Sequence, residues 1–294
     1  MTDPAFLDRN LAAGADVFLV QRNLLRIANY EERRIGFALR VGYEFNERLR
    51  QGWSYTLVDR NVFNVQAGAS RFVRDQAGRS LLSQVSQTLS YDTRDSPLES
   101  RRGYLLRWGA DFAGLGGDVT YIRNRFDGVL FLPFERLLGD PDYVLSLSGS
   151  VGHLAPLGSR RFANGERDRI VDRFFLGGEN LRGFQIAGVG PRDVNTRDSL
   201  GGRFMWTASA EMRYPLPLPS ELGLLGRAFV DAGALTQGPR GTDVFNSSVP
   251  RVSVGIGVSW RSPFGLINID LARALVKRPL DETQVFRFGF GTRF

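Results

Sequence analysis

The side chains of this chain that could perform acid, base or nucleophilic chemistry are few and scattered. The 294 residues include no cysteine and one histidine, His153, which lies in the apolar and glycine-rich segment VGHLAP without a coherent nucleophile or acid partner. Asp92, Asp95 and Glu99 cluster in YDTRDSPLE, where they are more suited to capping a turn beside Pro97 than to binding a metal ion. The sequence therefore predicts no catalytic residues, no metal site and no cofactor. A hydrolase built on His153 is the alternative that a His153→Ala variant would expose.

A glycine-rich loop is the stronger candidate for a functional site. Residues 174–184 read FFLGGENLRGF and are followed by GVGPRD, within an irregular stretch from about residue 159 to residue 200. Irregular loops of this length inside a compact domain are usually functional. Gly177, Gly178 and Gly183 would permit tight backbone turns. A phosphate-binding loop is disfavoured because no strand-to-helix pattern surrounds these glycines.

The elements that must position this loop are strands. The segment VFRFGFGTRF alternates strictly, with one face carrying four phenylalanines: Phe286, Phe288, Phe290 and Phe294. Roughly twelve segments show the same two-residue period, and many run to ten residues or more, whereas globular strands average about five or six. The pattern predicts an all-β fold, an antiparallel up-and-down transmembrane β-barrel whose apolar face contacts lipid, with Trp53, Trp108, Trp206 and Trp260 at the membrane interfaces. A soluble β-sandwich is the alternative.

Composition and connector lengths agree with a membrane barrel. Charged residues make up 23% of the chain, the mean hydropathy is −0.18, and no apolar run is long enough for a membrane-spanning helix. The formal net charge is +7, with Lys277 the only lysine, but the arginines are spread along alternating strand positions, which argues against nucleic-acid binding. Short connectors such as residues 46–49 and 262–265 are expected on the periplasmic side, and longer ones such as 66–79 and 238–250 on the extracellular side.

The loop and its flanks resemble a known family. Leu181, Arg182, Gly183 and Phe184 match the [V/I/L]RG[F/Y] hallmark in the sixth extracellular loop of the BamA-type insertase superfamily. The likeness covers the whole chain, residues 1–294, which is interpreted as one barrel domain. The sequence motifs are most similar to those of alphaproteobacterial proteins. Four more segments match in the same order: LSYDTRDSPLESRRGYLL (89–106), DFAGLGGD (111–118), FVDAG (229–233) and WRSPFGLINIDLARAL (260–275).

The resemblance implies a particular arrangement around Arg182. In the family the loop folds back into the barrel, where acids on neighbouring strands hold its arginine. The positions that match those partners here are Glu211 and Asp231, with Phe229 packing beside the arginine. The alternation of side chains along a strand independently supports an inward direction for both acids. Glu211 shares a face with Thr207 and Ser209, and Asp231 points to the face opposite that of Val230. Ordinary solvated lumen charges are the alternative.

The resemblance also implies a function and partners. It predicts the barrel core of a machine that folds and inserts β-barrel proteins into the bacterial outer membrane, with unfolded outer-membrane proteins as clients and a bilayer containing lipopolysaccharide around it. The terminal phenylalanine strand would be the signal for the chain's own insertion. A two-partner-secretion-type translocation pore of the same superfamily is the alternative function.

Relative to the family pattern, the chain lacks two parts. Periplasmic POTRA domains, which would reach accessory assembly lipoproteins, are missing, as are the first four of sixteen expected strands, since residues 2–10 resemble the turn after the fourth strand. We therefore expect an N-terminally truncated piece that starts in a turn. Its seam would form between residues 11–20 and 285–294.

Overall fold

The computed structural model describes residues 2–3, 11–97, 99–158, 162–163, 165–262 and 265–291, and it is dominated by antiparallel strands. Of these residues, thirteen strands form one sheet, and because one of the thirteen is only two residues long, the sequence-based count of about twelve is confirmed. The strands are β1 (Thr2–Asp3), β2 (Leu11–Asn23), β3 (Glu31–Glu44), β4 (Leu49–Phe63), β5 (Gly78–Asp92), β6 (Gly103–Ala113), β7 (Tyr121–Pro133), β8 (Val144–Pro156), β9 (Arg192–Asp193), β10 (Phe204–Pro215), β11 (Leu224–Thr236), β12 (Val244–Phe245), β13 (Arg251–Ser262), β14 (Gly265–Val276) and β15 (Phe286–Phe290).

The sheet follows chain order, as an up-and-down topology requires. Its order is β1-β2-β3-β4-β5-β6-β7-β8-β10-β11-β13-β14-β15, while β9 and β12 pair separately with each other. The expected turn at the start of the chain is partly wrong, because Thr2 and Asp3 pair with Gly14 and Ala13 of β2. The helices in the described ranges are short: α1 (Leu25–Ala28), α2 (Arg71–Arg74), α3 (Glu135–Leu138) and the 3-10 turns Ile170–Asp172 and Ser220–Leu222. No helix among the described residues is long or apolar enough to cross a bilayer.

The two faces of the sheet differ as the period-2 pattern predicts. On β3, the side chains of Ile35, Phe37 and Leu39 are 44%, 37% and 51% exposed, and most other long strands show a similar outward apolar set. Trp53 and Trp260 belong to this outer surface, with 50% and 43% of their area exposed. Such a continuous apolar surface requires an apolar solvent or a partner to cover it.

The inner face holds the core, and the sheet curls around it. Residues of the β8–β10 connection contact β4 through Asp172 and β13 through Arg182. These strands are seven positions apart in the sheet order, so a flat sheet would separate them by roughly 34 Å. The main apolar cluster lies inside this curl, and it combines loop residues with strand residues: Leu176, Leu181, Phe184 and Val189 from the loop, and Val58, Leu82, Leu154, Met205 and Leu235 from the strands.

Candidate functional site: an arginine-anchored loop inside the sheet

The β8–β10 connection, residues 157–203, carries Arg182 to the inner face of the sheet, where the guanidinium is 1% exposed. Its Nε donates to Asp231 Oδ2 at 2.7 Å, and its Nη2 donates to Asp231 Oδ1 at 2.8 Å. Nη1 donates to Glu211 Oε2. The structure therefore brings together the loop arginine and the two acids that the resemblance implied, in a fork that binds carboxylates strongly.

Further contacts fix both the position of the guanidinium and the backbone that carries it. The Arg182 guanidinium carbon lies 3.2 Å from the ring centroid of Phe229, a cation–π contact at a buried arginine. The Arg182 backbone N–H donates to Asp231 at 3.2 Å, and its carbonyl accepts from the Ser253 hydroxyl at 2.5 Å. Ser209 bonds both the guanidinium, at 3.2 Å, and Asp231, at 2.6 Å.

The electrostatics keep Arg182 charged. Burial disfavours the guanidinium charge, but hydrogen bonds and attraction from Asp231 and Glu211 outweigh it and raise the pKa of Arg182 above its ordinary value. Glu211 also lies 3.6 Å from Arg227 on β11, which in turn donates to Asp270 on β14 at 2.6 Å. The arginine of the loop thus belongs to a network of charges that links β10, β11 and β14.

Glycines give the loop the turns it needs. Gly177 has a φ of +118°, and a Cβ there would lie 2.0 Å from the Gln185 carbonyl oxygen. Gly183 has a φ of +85°, and a Cβ there would lie 2.9 Å from the Ser253 Cβ. Both positions exclude larger residues because of backbone conformation and close approach together.

The loop also pairs with the segment that precedes β15. Phe184 forms an antiparallel bridge with Thr283, and the backbone N–H of Gln185 donates to the Glu282 carbonyl at 2.9 Å. Gln284 N–H donates to the Gly183 carbonyl at 3.0 Å. The Glu282 side chain accepts from Arg192, elsewhere in the loop, at 2.7 Å. The RGF turn is therefore held by strands on one side and by the connection between β14 and β15 on the other.

A second charged cluster anchors the earlier part of the loop, and sequence reasoning missed it. Asp168 accepts from Arg173 Nε at 2.6 Å, and Glu166 accepts from Arg173 Nη2 at 2.8 Å. Arg203, immediately before β10, bonds both acids. Burial alone would raise the pKa of Asp168, but the arginine hydrogen bonds outweigh it and hold this pKa below the ordinary value. The only available signal was the density of charge in GERDRIVDR, which does not specify partners.

A third buried pair ties the loop to β4. Arg60 donates to Asp172 at 2.6 Å and 3.3 Å, and both side chains are 3% exposed. Strand parity places Arg60 on the inner face with Val58, so an inward arginine was foreseeable, whereas its loop partner was not.

The remaining sequence-based candidates lie away from this site. His153 sits on β8 beside Phe204, with ring centroids 6.5 Å apart, and no metal-binding group of acids and histidine occurs within the described ranges. Asp95 accepts from the backbone N–H groups of Arg101 and Arg102 at 2.9 Å and 3.3 Å, as a turn-capping residue does. Phe286, Phe288 and Phe290 share the exposed face of β15, which pairs with β14, whereas Phe294 lies outside the described residues.

With this geometry established, comparison with known proteins gives the family. All residues from 1 to 294 match the model of the Omp85 superfamily domain. The chain belongs to the Omp85 superfamily. It is 36% identical over 288 residues to the outer membrane protein assembly factor BamA of Neorickettsia risticii, covering 98% of this chain and 37% of that protein. It is 31% identical over 252 residues to a SAM50-like protein of Schizosaccharomyces pombe, covering 82% of this chain and 50% of that one.

A solved structure shows the same fold. The crystal structure of BamA from Haemophilus ducreyi lacking POTRA domains 1–3 superposes with a TM-score of 0.83 at 20% identity, covering 98% of this chain and 60% of that one. The curved sheet is accordingly the wall of an outer-membrane β-barrel of the Omp85 superfamily, and the expected likeness to alphaproteobacterial BamA proteins is confirmed. The chain spans 37% of the length of the BamA relative and 50% of the length of the SAM50-like relative.

Proposed function

We propose that this chain forms the barrel of a machine that folds and inserts β-barrel proteins into the outer membrane. The observation that carries the proposal is the buried Arg182, held by Asp231 and Glu211 inside the barrel of an Omp85 protein. A barrel whose lumen is obstructed by an anchored loop and its apolar cluster is poorly suited to free passage of solutes. It is better suited to acting through its wall and the surrounding bilayer.

The clients of this machine are unfolded outer-membrane proteins, whose strands need a hydrogen-bonding partner before they enter lipid. An unpaired strand edge in a bilayer is very costly, so a barrel that supplies a temporary partner lowers the barrier to insertion. We further propose a bilayer that contains lipopolysaccharide, and accessory lipoproteins that act through POTRA domains of the assembled machine. The matched Neorickettsia risticii relative, which is named an outer membrane protein assembly factor, supports this choice over a translocation pore.

The proposed machine uses no catalytic residue or cofactor. His153, on β8, lies next to the ring of Phe204 on β10 and not near the buried acids that hold Arg182. A His153→Ala variant should therefore keep full assembly activity in cells. Loss of activity in a variant that still folds would indicate an enzyme.

The test of the function is replacement in the cell of origin. The gene is replaced by versions encoding Arg182→Ala or the matched variant Arg125→Ala, whose arginine is also inward-facing but is 48% exposed and pairs with Asp127 on its own strand. We expect reduced amounts of folded outer-membrane proteins with Arg182→Ala and normal amounts with Arg125→Ala. Normal amounts in both strains would contradict the assignment, and a pore would instead lose one secreted substrate with other outer-membrane proteins unchanged.

A further inference from the structure

Residues 93–97 and 99–102, in the turn between β5 and β6, contact parts of the wall that are far from them in the sheet. Glu99 accepts a hydrogen bond from Arg261 Nε at the end of β13. The Ser100 carbonyl accepts from Arg213 on β10 at 3.1 Å, and Arg101 donates at 2.7 Å to Asp142, in the connection between β7 and β8.

These contacts require the turn to cross the opening of the barrel. β13 lies five positions beyond β6 in the strand order. At about 4.8 Å per strand, the two are roughly 24 Å apart along the wall. An arginine and a glutamate side chain cannot bridge that separation along the wall, so the backbone of the turn itself must extend over the mouth. This is the end of the barrel with the short connections, opposite the Arg182 loop, and hence the periplasmic end.

The inner wall beside this turn is apolar, unlike the lumen above it. Leu105, Val129, Phe131 and Val144 form a cluster on the inward faces of β6, β7 and β8, and each is 7% exposed or less. Gly103 begins β6 directly after the turn, so this cluster adjoins the crossing segment. Inward apolar side chains at a water-filled mouth would be exposed, and their burial indicates that the mouth is filled.

A cavity of about 660 Å³ lies between this end and the Arg182 loop. Leu105 and Val129 line it near the periplasmic end, and Phe174 and Asn180 line it at the loop. We propose that the β5–β6 turn is a strap that closes the lumen from the periplasm, with Glu99 and Arg261 as its distal clasp. The barrel then has two barriers, the loop on the extracellular side and the strap on the periplasmic side.

The clasp differs from the loop anchor in being releasable. The side chains of Arg261 and Glu99 are 35% and 31% exposed, whereas those of Arg182 and Asp231 are 1% and 3% exposed. Ion pairs that are this exposed to water shift an equilibrium by only about twofold to fivefold. The clasp can therefore open without breaking a buried ion pair.

Conductance of the protein as the cell makes it, purified into planar lipid bilayers, tests the strap. We expect Glu99→Gln and Arg261→Gln to raise mean conductance about twofold to fivefold. The matched variant Arg50→Gln, which breaks an exposed periplasmic-side pair with Glu44, should not change it. The reversed pair, Glu99→Arg with Arg261→Glu, should lower conductance again only in part, because Arg261 Nη2 also lies 3.5 Å from Asp142 Oδ1. Clasp variants that stay folded, as judged by heat-dependent gel mobility, and conduct like the unchanged protein would overturn the proposal.

Cross-linking gives an independent measurement that does not depend on the clasp being strong. This chain has no cysteine, so Glu99→Cys with Arg261→Cys introduces a defined pair in the strap and the opposite wall. A bifunctional maleimide is suitable because two long side chains meet here, which places the backbones farther apart than a disulfide permits. We expect a cross-linked product in the folded protein and conductance at or below that of the unchanged protein. Absence of the product from folded protein would show that the strap does not reach β13.

Discussion

Replacing Arg182 with alanine should release the loop from the barrel interior without unfolding the strands. The change removes the fork to Asp231, the bond to Glu211 and the contact with Phe229. Asp231, 3% exposed, would lose both guanidinium hydrogen bonds and keep its bonds to the Ser209 hydroxyl and a backbone N–H. Breaking a buried pair from one side costs about 3–5 kcal/mol, because the remaining charge loses the attraction and hydrogen bonds of this partner while it stays buried.

That cost corresponds to a docked-to-released ratio lowered by about a hundredfold to a few thousandfold. Hydrogen exchange of the backbone amides of residues 176–190 measures this ratio directly. The variant Arg125→Ala is the control, since its half-exposed pair with Asp127 should contribute under about 1 kcal/mol. Equal protection of the loop in both variants would refute the claim that Arg182 holds it.

The effect should also depend on charge pairing rather than on side-chain volume. Arg182→Lys keeps a cation but loses the planar fork, so the loop should exchange at a rate between those of the unchanged protein and Arg182→Ala. Combining Arg182→Ala with Asp231→Asn removes the carboxylate charge that faced Arg182 and should recover part of the lost protection. If the free energies by which Arg182→Ala and Asp231→Asn each favour loop release simply add in the double variant, the two residues do not act as a pair.

Three further predictions follow from the loop and the terminal strand. Gly177→Ala should destabilise the docked loop by about 2–4 kcal/mol, because its Cβ would clash with the Gln185 carbonyl at a position with positive φ. Gly289→Ala is the control, since a Cβ there meets open space, and limited proteolysis of the loop compares the two variants. The pKa of Asp168 is lower in the folded protein than its ordinary value of about 3.9, so the ionised carboxylate stabilises the fold above that value. This stabilisation is lost as the pH falls towards the pKa of the folded state. The unfolding temperature should therefore fall more steeply below about pH 5 in the unchanged protein than in Asp168→Asn. Deleting Phe294 should reduce the chain's own insertion, and unchanged amounts in membrane fractions would disprove the role of the terminal residue.

The strand pattern could be predicted from the sequence because lipid and lumen impose opposite demands on alternate residues. Parity alone placed Glu211 and Asp231 on the inner face, and the register pairs Ser209 with Asp231 and Glu211 with Phe229, so these side chains are neighbours across β10 and β11. What parity could not supply was the arginine, because the chain is rich in arginine and the loop has no period. The motif resemblance supplied Arg182.

Contacts within and between the loops were beyond prediction for a physical reason. Glu166, Asp168, Arg173 and Arg203 meet only after the chain has turned several times, and no local rule fixes which charges pair. The loop was expected to be irregular throughout, yet it contains a 3-10 turn at Ile170–Asp172 and the short strand β9, which pairs with β12. The strap was missed because YDTRDSPLE was interpreted as a local turn, and the contact between Glu99 and Arg261 joins residues 162 positions apart.

The measurement that tests the central claim most directly is the folding rate of a client barrel in liposomes. The protein as the cell makes it is reconstituted in lipid vesicles, an unfolded outer-membrane protein is added, and folded client is followed by its gel mobility. We predict faster folding with the protein than with empty vesicles, and a rate close to that of empty vesicles with Arg182→Ala. Equal client folding in empty vesicles and in vesicles that contain the correctly folded protein would contradict the proposed function.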